Sequence, residues 1–500
     1  MCTTNELYDV PDMTSLKELI QIDKNLPTPI YLQITNAIIY NIRRGILRRR
    51  FKIPGARELA ADLNIHRKTL QNALDELMAQ GWLEIIPRKG TFVVDNLPEI
   101  NPAGQSLKNK QHIYPDKTLF QIDEKKLVLF PSLNSQADKN LILDDGLPDI
   151  RTTTTEILMR ECRNLSKLNA FRKYYRYGSS AGTDHLRKTL AKFLTNTRAL
   201  PISPKNILIT RGAQMGFYLT SRLLIKPGDN VVVGEPGYFI TNFTFTEAGA
   251  SILKVPVDEY GINVDYIERI CKRNIIKLLY VIPHHHYPTT VTLIPERRIR
   301  LLELAAKYKF AILEDDYDYD FHYNSSPVLP MASLDNHGNV IYIGTLTKTL
   351  VPSIRIGFII APENFINAIS HIRRVVDWQG DSMMEVAIAE LYRNGTIERH
   401  IKKVVKLYRE RRDHFCKLLK DQLGNQVTFK IPDGGMSVWT SFNKSDLKEI
   451  SKNAAEKGLS VSDGSLFNTS DTNYNSARLG FASLNFQEME RAINILKNSV

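Results

Sequence analysis

The chain is poor in cysteine: 500 residues contain four, Cys2, Cys162, Cys271 and Cys416, far apart and with no C-x-x-C spacing. That usage excludes a disulfide framework and fits reduced thiols of a cytoplasmic protein, spent on packing. No uninterrupted apolar run approaches the roughly 18 residues that span a bilayer, so no transmembrane segment is expected. The N-terminus, MCTTNELYDVPDM, has no basic flank followed by an apolar core, so no secretory signal is expected either. Acidic residues are in deficit, 54 against 66 lysines and arginines, for a net charge of +12. The excess favours an anionic partner without naming one. With 43% hydrophobic and 24% charged residues, the length exceeds what one core supports, and two or three domains are expected.

Acid is wholly missing between Arg43 and Arg57, where Arg43, Arg44, Arg48, Arg49, Arg50, Lys52 and Arg57 fall together. Around this run the pattern is helical. Ile30, Ile34, Ile38 and Ile42 recur every four residues and predict a first helix with one apolar face. Leu59, Ala60 and Leu63 mark a short second helix, Asn64 suits a left-handed turn, and Leu70, Ala73, Leu74 and Leu77 give a third. This register leaves His66, Arg67, Lys68, Gln71 and Asn72 on the start and outer face of the third helix, where they can reach phosphates and base edges. Trp82 to Ile86 and Thr91 to Val94 read as two strands joined by the basic tip Pro87-Arg88-Lys89-Gly90. Helix, turn, helix and wing predict a DNA-binding domain; the alternative is a small helical domain with a solvated basic face.

These residues, in the runs PIYLQITNAI and ARELAADLNIHRKTLQNALDELMAQGWLEIIPRKGTFVV, resemble the GntR-type winged helix over residues 26–94. The resemblance implies a recognition helix in the major groove of an operator, with Arg57, Arg67, Thr69 and Gly90 at the DNA. His66 stands where the family more often has serine. Residues 95–144 follow without apolar periodicity and rich in Pro, Gly, Asn and Lys, and predict a flexible linker whose later part, LVLFPSL at 127–133, docks.

From Asp145 to the end, short β-branched runs alternate with helical patterns: Ile207–Ile209, Val231–Val233, Ile276–Ile282, Phe310–Leu313, Val340–Ile343 and Phe358–Ala361. They predict an α/β domain over 145–500 with a largely parallel sheet and its ligand site beyond the strand ends. Between two of the runs lies Lys348, with hydroxyls at Thr345, Thr347 and Thr349 and a guanidinium seven residues on at Arg355. An amine, hydroxyls and one arginine suit an aldehyde carrying a phosphate: the amine forms a Schiff base while Arg355 and Thr345 take the phosphate. A surface loop with Arg355 paired to an acid is the alternative. Gly212-Ala213-Gln214 opens a helix after a strand and offers backbone amides to a phosphate. Asp315, at the end of the strand FAIL, can hold a protonated ring nitrogen, and Tyr317 can donate to a phenolic oxygen. The acids Asp315, Asp316, Asp318 and Asp320 leave a metal cluster or a solvated turn as alternatives. His284, His285 and His286 are adjacent in sequence and cannot converge on one ion, so no metal is expected there.

Thr345, Lys348, Arg355 and Gly357 together resemble the cofactor loop of fold type I aminotransferases, enzymes that use pyridoxal 5'-phosphate. The resemblance implies that Lys348 is the Schiff-base lysine and moves protons, that Tyr238 in Glu235-Pro236-Gly237-Tyr238 lies against the cofactor ring, and that Tyr177 reaches the phosphate of a neighbouring subunit. It also implies that Arg478, in Ala477-Arg478-Leu479-Gly480-Phe481, clamps a substrate carboxylate. PHHHYPTT departs from the family's Asn-Pro-Thr-Gly: Tyr287 stands for the asparagine and Thr290 for the glycine. The two halves combined resemble the MocR subfamily of bacterial transcription regulators. That implies a homodimeric regulator in which the aminotransferase-like domain senses an amine, or pyridoxal phosphate itself, and controls operator binding. Ile240 occupies the position where the γ-aminobutyrate-sensing type has arginine, so that effector is not expected. An active aminotransferase, and a repressor whose large domain only dimerises, remain the other readings.

Overall fold

The computed structural model describes residues 16–24, 26–97, 116–122, 141–323, 328–469 and 472–500. The described residues fall into two compact units, divided between Val128 and Leu129. Most of the expected linker, including LVLFPSL, lies outside the described residues. Its expected end at 144 is corrected: Leu141–Leu143 form a strand that pairs in parallel with Leu459–Val461, because Leu143 has a buried place in the C-terminal core.

In the first unit, α1 (Leu16–Leu19), α2 (Ile30–Arg43), α3 (Ala56–Asp62) and α4 (Arg67–Ala79) surround one core. Ile34, Ile38 and Ile42 of α2 are buried, as their fourfold spacing requires, and face Leu70, Leu74 and Leu77 of α4. Asn64 takes the left-handed conformation that turns α3 into α4. The wing is a three-stranded antiparallel sheet ordered β1 (Lys52–Ile53), β3 (Gly90–Val93), β2 (Leu83–Ile86). Sequence reading missed α1 and β1, which are too short to show a period. β2 begins at Leu83, since Trp82 is instead buried in the helical core.

The second unit is built on eight strands: β5 (Ile207–Thr210), β6 (Asn230–Glu235), β7 (Ser251–Asp258), β8 (Gly261–Ile262), β9 (Ile276–Val281), β10 (Ala311–Asp316), β11 (Val340–Thr345) and β12 (Gly357–Ile360). Their order is β5-β12-β11-β10-β9-β6-β7-β8. β12 runs antiparallel to both neighbours, β8 antiparallel to β7, and the other pairings are parallel. β5 and β12 are buried along their whole length, as in a sheet covered on both faces. A smaller antiparallel sheet, Val427–Phe429, Ser437–Phe442 and Ser476–Gly480, packs with the 28-residue helix Thr396–Leu423 in a separate core. All six expected strands belong to the large sheet, so the α/β reading holds.

The direction of β12 positions the site. Because it runs against the sheet, its beginning meets the carboxyl ends of β5 and β11, and the short turn from Lys348 delivers Arg355 to the same edge. Gly357 is required there: a Cβ would come within 2.8 Å of the Gly212 carbonyl carbon and of the Gly344 oxygen. Truncating Leu77, fully buried in the first unit, is expected to cost about 2–5 kcal/mol. Hydrogen exchange of the Leu77→Ala full chain should show that loss of protection in peptides within 30–93.

Candidate functional site

On the first unit, His66 caps α4, its Nδ1 accepting from the Lys68 backbone N–H at 3.2 Å. Arg67, Lys68, Gln71 and Asn72 are exposed on the outer face of α4, and Thr69 is half-buried. Gln71 donates to Asp75 at 2.9 Å. Arg57 on α3 and Arg88, Lys89 and Gly90 at the wing tip are also exposed, with Arg88 and Gly90 at positive φ. None of Arg57, Arg67, Lys68, Arg88 and Lys89 is in an ion pair among the described residues. Arg50, counted with the basic run, is different: it forks onto Asp95 at 2.5–2.9 Å and is neutralised there.

In the second unit, loops after β5, β6, β9, β10 and β11 enclose a cavity of about 330 Å³ lined by Ala213, Gln214, Tyr238, Asp315, Tyr317, Thr345, Lys348, Arg355 and Arg478. These are the sequence-expected residues with one exception. Tyr177 is not among them; it is 83% exposed and packs on Trp378, ring centroids 5.5 Å apart. Ile240 is not in the lining either.

The half-buried Lys348 donates from Nζ to the Gly146 carbonyl at 2.7 Å. Burial lowers its pKa and the Arg478 charge adds to the effect, while Asp145 opposes it. Thr345 Oγ1 donates to Thr347 Oγ1 at 2.9 Å, and Arg355 reaches Thr347 Oγ1 only at 3.4 Å. Arg355 has no carboxylate partner among the described residues. Its guanidinium lies against Gly212, where a Cβ would meet Nη2 at 2.7 Å, and Gly212 at φ +77 opens the helix Ala213–Leu224. A guanidinium thus faces a helix N-terminus, and both favour a phosphate.

At the other end Asp315 is buried; Oδ2 accepts from the Tyr280 hydroxyl at 2.7 Å and Oδ1 has no partner. Burial pushes this carboxyl up to about 7; Tyr280 opposes the rise and Asp316 and Asp318 add to it. The neighbouring acids are engaged elsewhere. Asp316 accepts from Tyr342 and faces His284 and Arg198, Asp318 accepts from His285, and Asp320 faces Arg198 and Thr349. Of these four acids Asp315 alone lines the cavity, and the others spend their charge on protein partners, which argues against the cluster alternative. The three histidines diverge, His286 bonding Thr289 at 3.0 Å.

Tyr238 is hydrogen-bonded by Gln214 at 2.9 Å and meets Tyr287 edge-on at 5.0 Å. Tyr317 donates to the His285 carbonyl and accepts from Arg478 Nη2, both at 2.9 Å. Arg478, 2% exposed, donates from Nε to the Asp145 carbonyl at 2.6 Å and stacks on Tyr287 at 4.8 Å. Its Nη1 is buried without a partner. Burial opposes the charge, yet the facing phenols of Tyr317 and Tyr287, with Asp145, hold its pKa above the ordinary value. Thr290 keeps the left-handed backbone, φ +61, that a glycine would adopt without strain.

Sequence reasoning missed the strap Asp144–Leu147. Its carbonyls at 145 and 146 hold Arg478 and Lys348, and Asp145 and Leu147 line the cavity. An Asp-Asp-Gly turn directly after the apolar run Leu141-Ile142-Leu143 was its one trace in the sequence.

Residues 140–496 match the family of class I and II aminotransferases, and residues 30–93 match the gntR family of bacterial regulatory proteins. Over 364 residues the chain is 31% identical to the aromatic-amino-acid aminotransferase 1 of Thermococcus litoralis, covering 72% of this chain and 87% of that one. A Pyrococcus horikoshii kynurenine aminotransferase structure, in complex with PMP, superimposes with a TM-score of 0.70 at 27% identity, over 76% of this chain and 96% of that one. The chain therefore belongs to the class I and II aminotransferase family, and its large domain has the fold type I architecture. With the gntR-type domain in front, it is a transcription regulator of the MocR type. The probable rhizopine catabolism regulatory protein MocR of Rhizobium meliloti is 26% identical over 96% of both chains.

The cofactor of such a domain is pyridoxal 5'-phosphate, and the cavity fits it. The partnerless Asp315 oxygen suits a ring N–H, and Arg355 with the helix at Ala213 suits the phosphate. Asp315 is a buried acid without a cation, so Asp315→Asn is expected to stabilise the cofactor-free protein while weakening cofactor binding at least about tenfold. Since folding raises this pKa, the native state holds the proton more tightly than the unfolded chain. The stabilising effect of the variant should therefore grow as pH rises from about 4 to 7 and level off above. Melting curves of both proteins across that range check it. On the DNA side, Arg67→Ala or Lys89→Ala should each reduce the slope of log affinity against log salt by about 0.9.

Proposed function

We propose that the large domain is a sensor, in which an amine-bearing ligand competes with Lys348 for bound pyridoxal phosphate and thereby alters operator binding by the winged helix. The observation that carries this reading is a set of groups in one cavity that lack protein partners. Arg355 has no acid, Asp315 Oδ1 no donor and Arg478 Nη1 no acceptor among the described residues. Leaving buried polar atoms unpaired costs free energy that a ligand can recover. The domain organisation that goes with it is a DNA-binding domain over 26–94, a linker from 95, and the sensing domain to the C-terminus. Similarity to regulators across the whole length, winged helix included, favours sensing over an enzyme with an incidental N-terminal domain.

Pyridoxal phosphate supplies an aldehyde for an amine and an electron-withdrawing ring. The protein's part follows from its own atoms. Lys348, its pKa lowered by burial, presents more neutral amine at Nζ than an exposed lysine would, and would hold or give up a proton there once a ligand amine had replaced it. Asp315 Oδ1 would hold a proton on a ring nitrogen, and the paired charge would in turn bring its own pKa back down. Arg355, Thr345 and the backbone at Ala213 and Gln214 would hold the phosphate. Tyr238 would face the ring, and Tyr317, whose hydroxyl proton goes to the His285 carbonyl, would have to turn it to the phenolic oxygen. Arg478 offers Nη1 to a ligand carboxylate.

The tyrosine at 287 supports sensing over turnover. Where the family's asparagine would hydrogen-bond the phenolic oxygen, Tyr287 points its hydroxyl to Asp145 Oδ2 at 3.3 Å. We further propose a cytoplasmic homodimer, with the exposed Tyr177 reaching the partner's phosphate site. Among the described residues no helix is long and apolar enough to cross a membrane.

One preparation of full-length protein should show both the absorbance of bound cofactor and sequence-specific DNA binding. Lys348→Ala should lose the borohydride-trapped adduct, read by mass spectrometry, and still bind the operator specifically, with an affinity that no longer responds to added amine. Wild-type protein that forms no adduct would overturn the proposal. Turnover of amino donors at ordinary enzymatic rates without operator binding would favour an aminotransferase instead.

A further inference from the structure

The charged groups around the cavity leave one member unused by the reading above. Three cations and two carboxylates line it: Lys348, Arg355 and Arg478, with Asp145 and Asp315. Arg355 is matched to a phosphate, Asp315 to a ring nitrogen, Lys348 to the aldehyde and Arg478 to a carboxylate. Asp145 remains. It is exposed at the edge of the cavity, and its side chain is in no ion pair among the described residues. The one hydrogen bond it accepts there is the long one from Tyr287, 3.3 Å. Its backbone is fixed, because the Asp145 carbonyl accepts from Arg478 at 2.6 Å and the next carbonyl from Lys348 at 2.7 Å. The carboxylate is therefore held beside the reacting amine and beside the arginine meant for the ligand.

Two observations then specify opposite charges on the ligand. The buried, partnerless Nη1 of Arg478 calls for an acceptor, and the unpaired carboxylate of Asp145 calls for a donor, preferably a charged one. A ligand with a neutral side chain satisfies only the first. Its carboxylate would neutralise Arg478 and set a second negative group beside Asp145, with Lys348 as the one neighbouring cation of the lining left to answer it. A ligand with an acidic side chain adds like-charge repulsion. Resting on the sensing reading, we propose that Asp145 is a specificity-determining residue and that the effector is an amino acid with a second, cationic nitrogen on its side chain. Its carboxylate goes to Arg478, its α-amine to the cofactor in place of Lys348, and its distal ammonium to Asp145. A charge-assisted hydrogen bond at a partly open position should favour such a ligand by roughly tenfold over a neutral one of the same length.

The test titrates cofactor-loaded full-length protein with L-lysine, with L-norleucine, its analogue lacking the distal amine, and with cadaverine, which lacks the carboxylate, following the absorbance of the bound cofactor. L-Lysine should act at about one-tenth the concentration of either comparator. In Asp145→Asn, which keeps the shape, the lysine-to-norleucine preference should fall toward one, and Asp145→Gly should do the same if the amide perturbs the strap. A wild-type ratio near one, a ratio unchanged in both variants, or cadaverine acting as well as L-lysine would overturn the proposal. A loaded protein without any cofactor absorbance would overturn the sensing reading beneath it as well, whereas a coloured protein indifferent to the distal amine would overturn the assignment of Asp145 alone.

Discussion

The hydrogen bond from Lys348 to the Gly146 carbonyl ties together the two parts of the large unit that have to agree if the cavity is to exist. Lys348 comes from the turn between β11 and β12, at the edge of the eight-stranded sheet. Gly146 belongs to the strap that follows the Leu141–Leu143 strand, which pairs with the smaller C-terminal structure. Arg478, from that structure's own sheet, holds the preceding carbonyl. A lysine and an arginine thus share two consecutive peptide groups. Neither cation has an acid within ion-pair distance among the described residues, so backbone oxygens supply much of their solvation. The arrangement is costly for a structure that only needed to fold, and it makes sense as the resting state of a site that exchanges protein contacts for ligand contacts.

Electrostatically the cavity is graded from one end to the other. The buried end carries Asp315, pushed up by desolvation and steadied by one phenol. Arg355 lies against a helix N-terminus, and the edge holds Arg478 beside Asp145. Around it, the acids that share a sequence cluster with Asp315 are each answered by a protein donor, so the charge left over is directional and not diffuse. Tyr287 and Tyr317 flank the Arg478 guanidinium at 4.8 and 5.9 Å from their ring centroids, which orients the arginine while leaving one nitrogen free.

Much of this was legible in the sequence, for physical reasons that can be named. Ile34, Ile38 and Ile42 announced α2 because a helix buries every fourth residue, and β5, β11 and β12 announced themselves as β-branched runs because both faces of their sheet are covered. Lys348 and Arg355 were readable as a pair, since the tight turn before an antiparallel strand fixes their spacing. The strap was not readable: its function lies in two carbonyls, and carbonyls have no letter in the sequence. Nor did anything local reveal that Arg50 is neutralised, because its partner Asp95 is 45 residues away. Tyr177 was singled out by its resemblance, and within a single chain it stands apart from the cavity.

The strap lies near the start of the large unit's described residues. Among the described residues Leu141–Leu143 is the first strand of that unit, and three residues beyond it the Gly146 carbonyl accepts from Lys348. Under the sensing proposal, the segment that leads into the sheet and cavity is held by the same lysine that a ligand's amine would engage. Engaging Nζ would free the carbonyl of Gly146 and leave that of Asp145 pinned to Arg478, so the strap would pivot on one fixed peptide group.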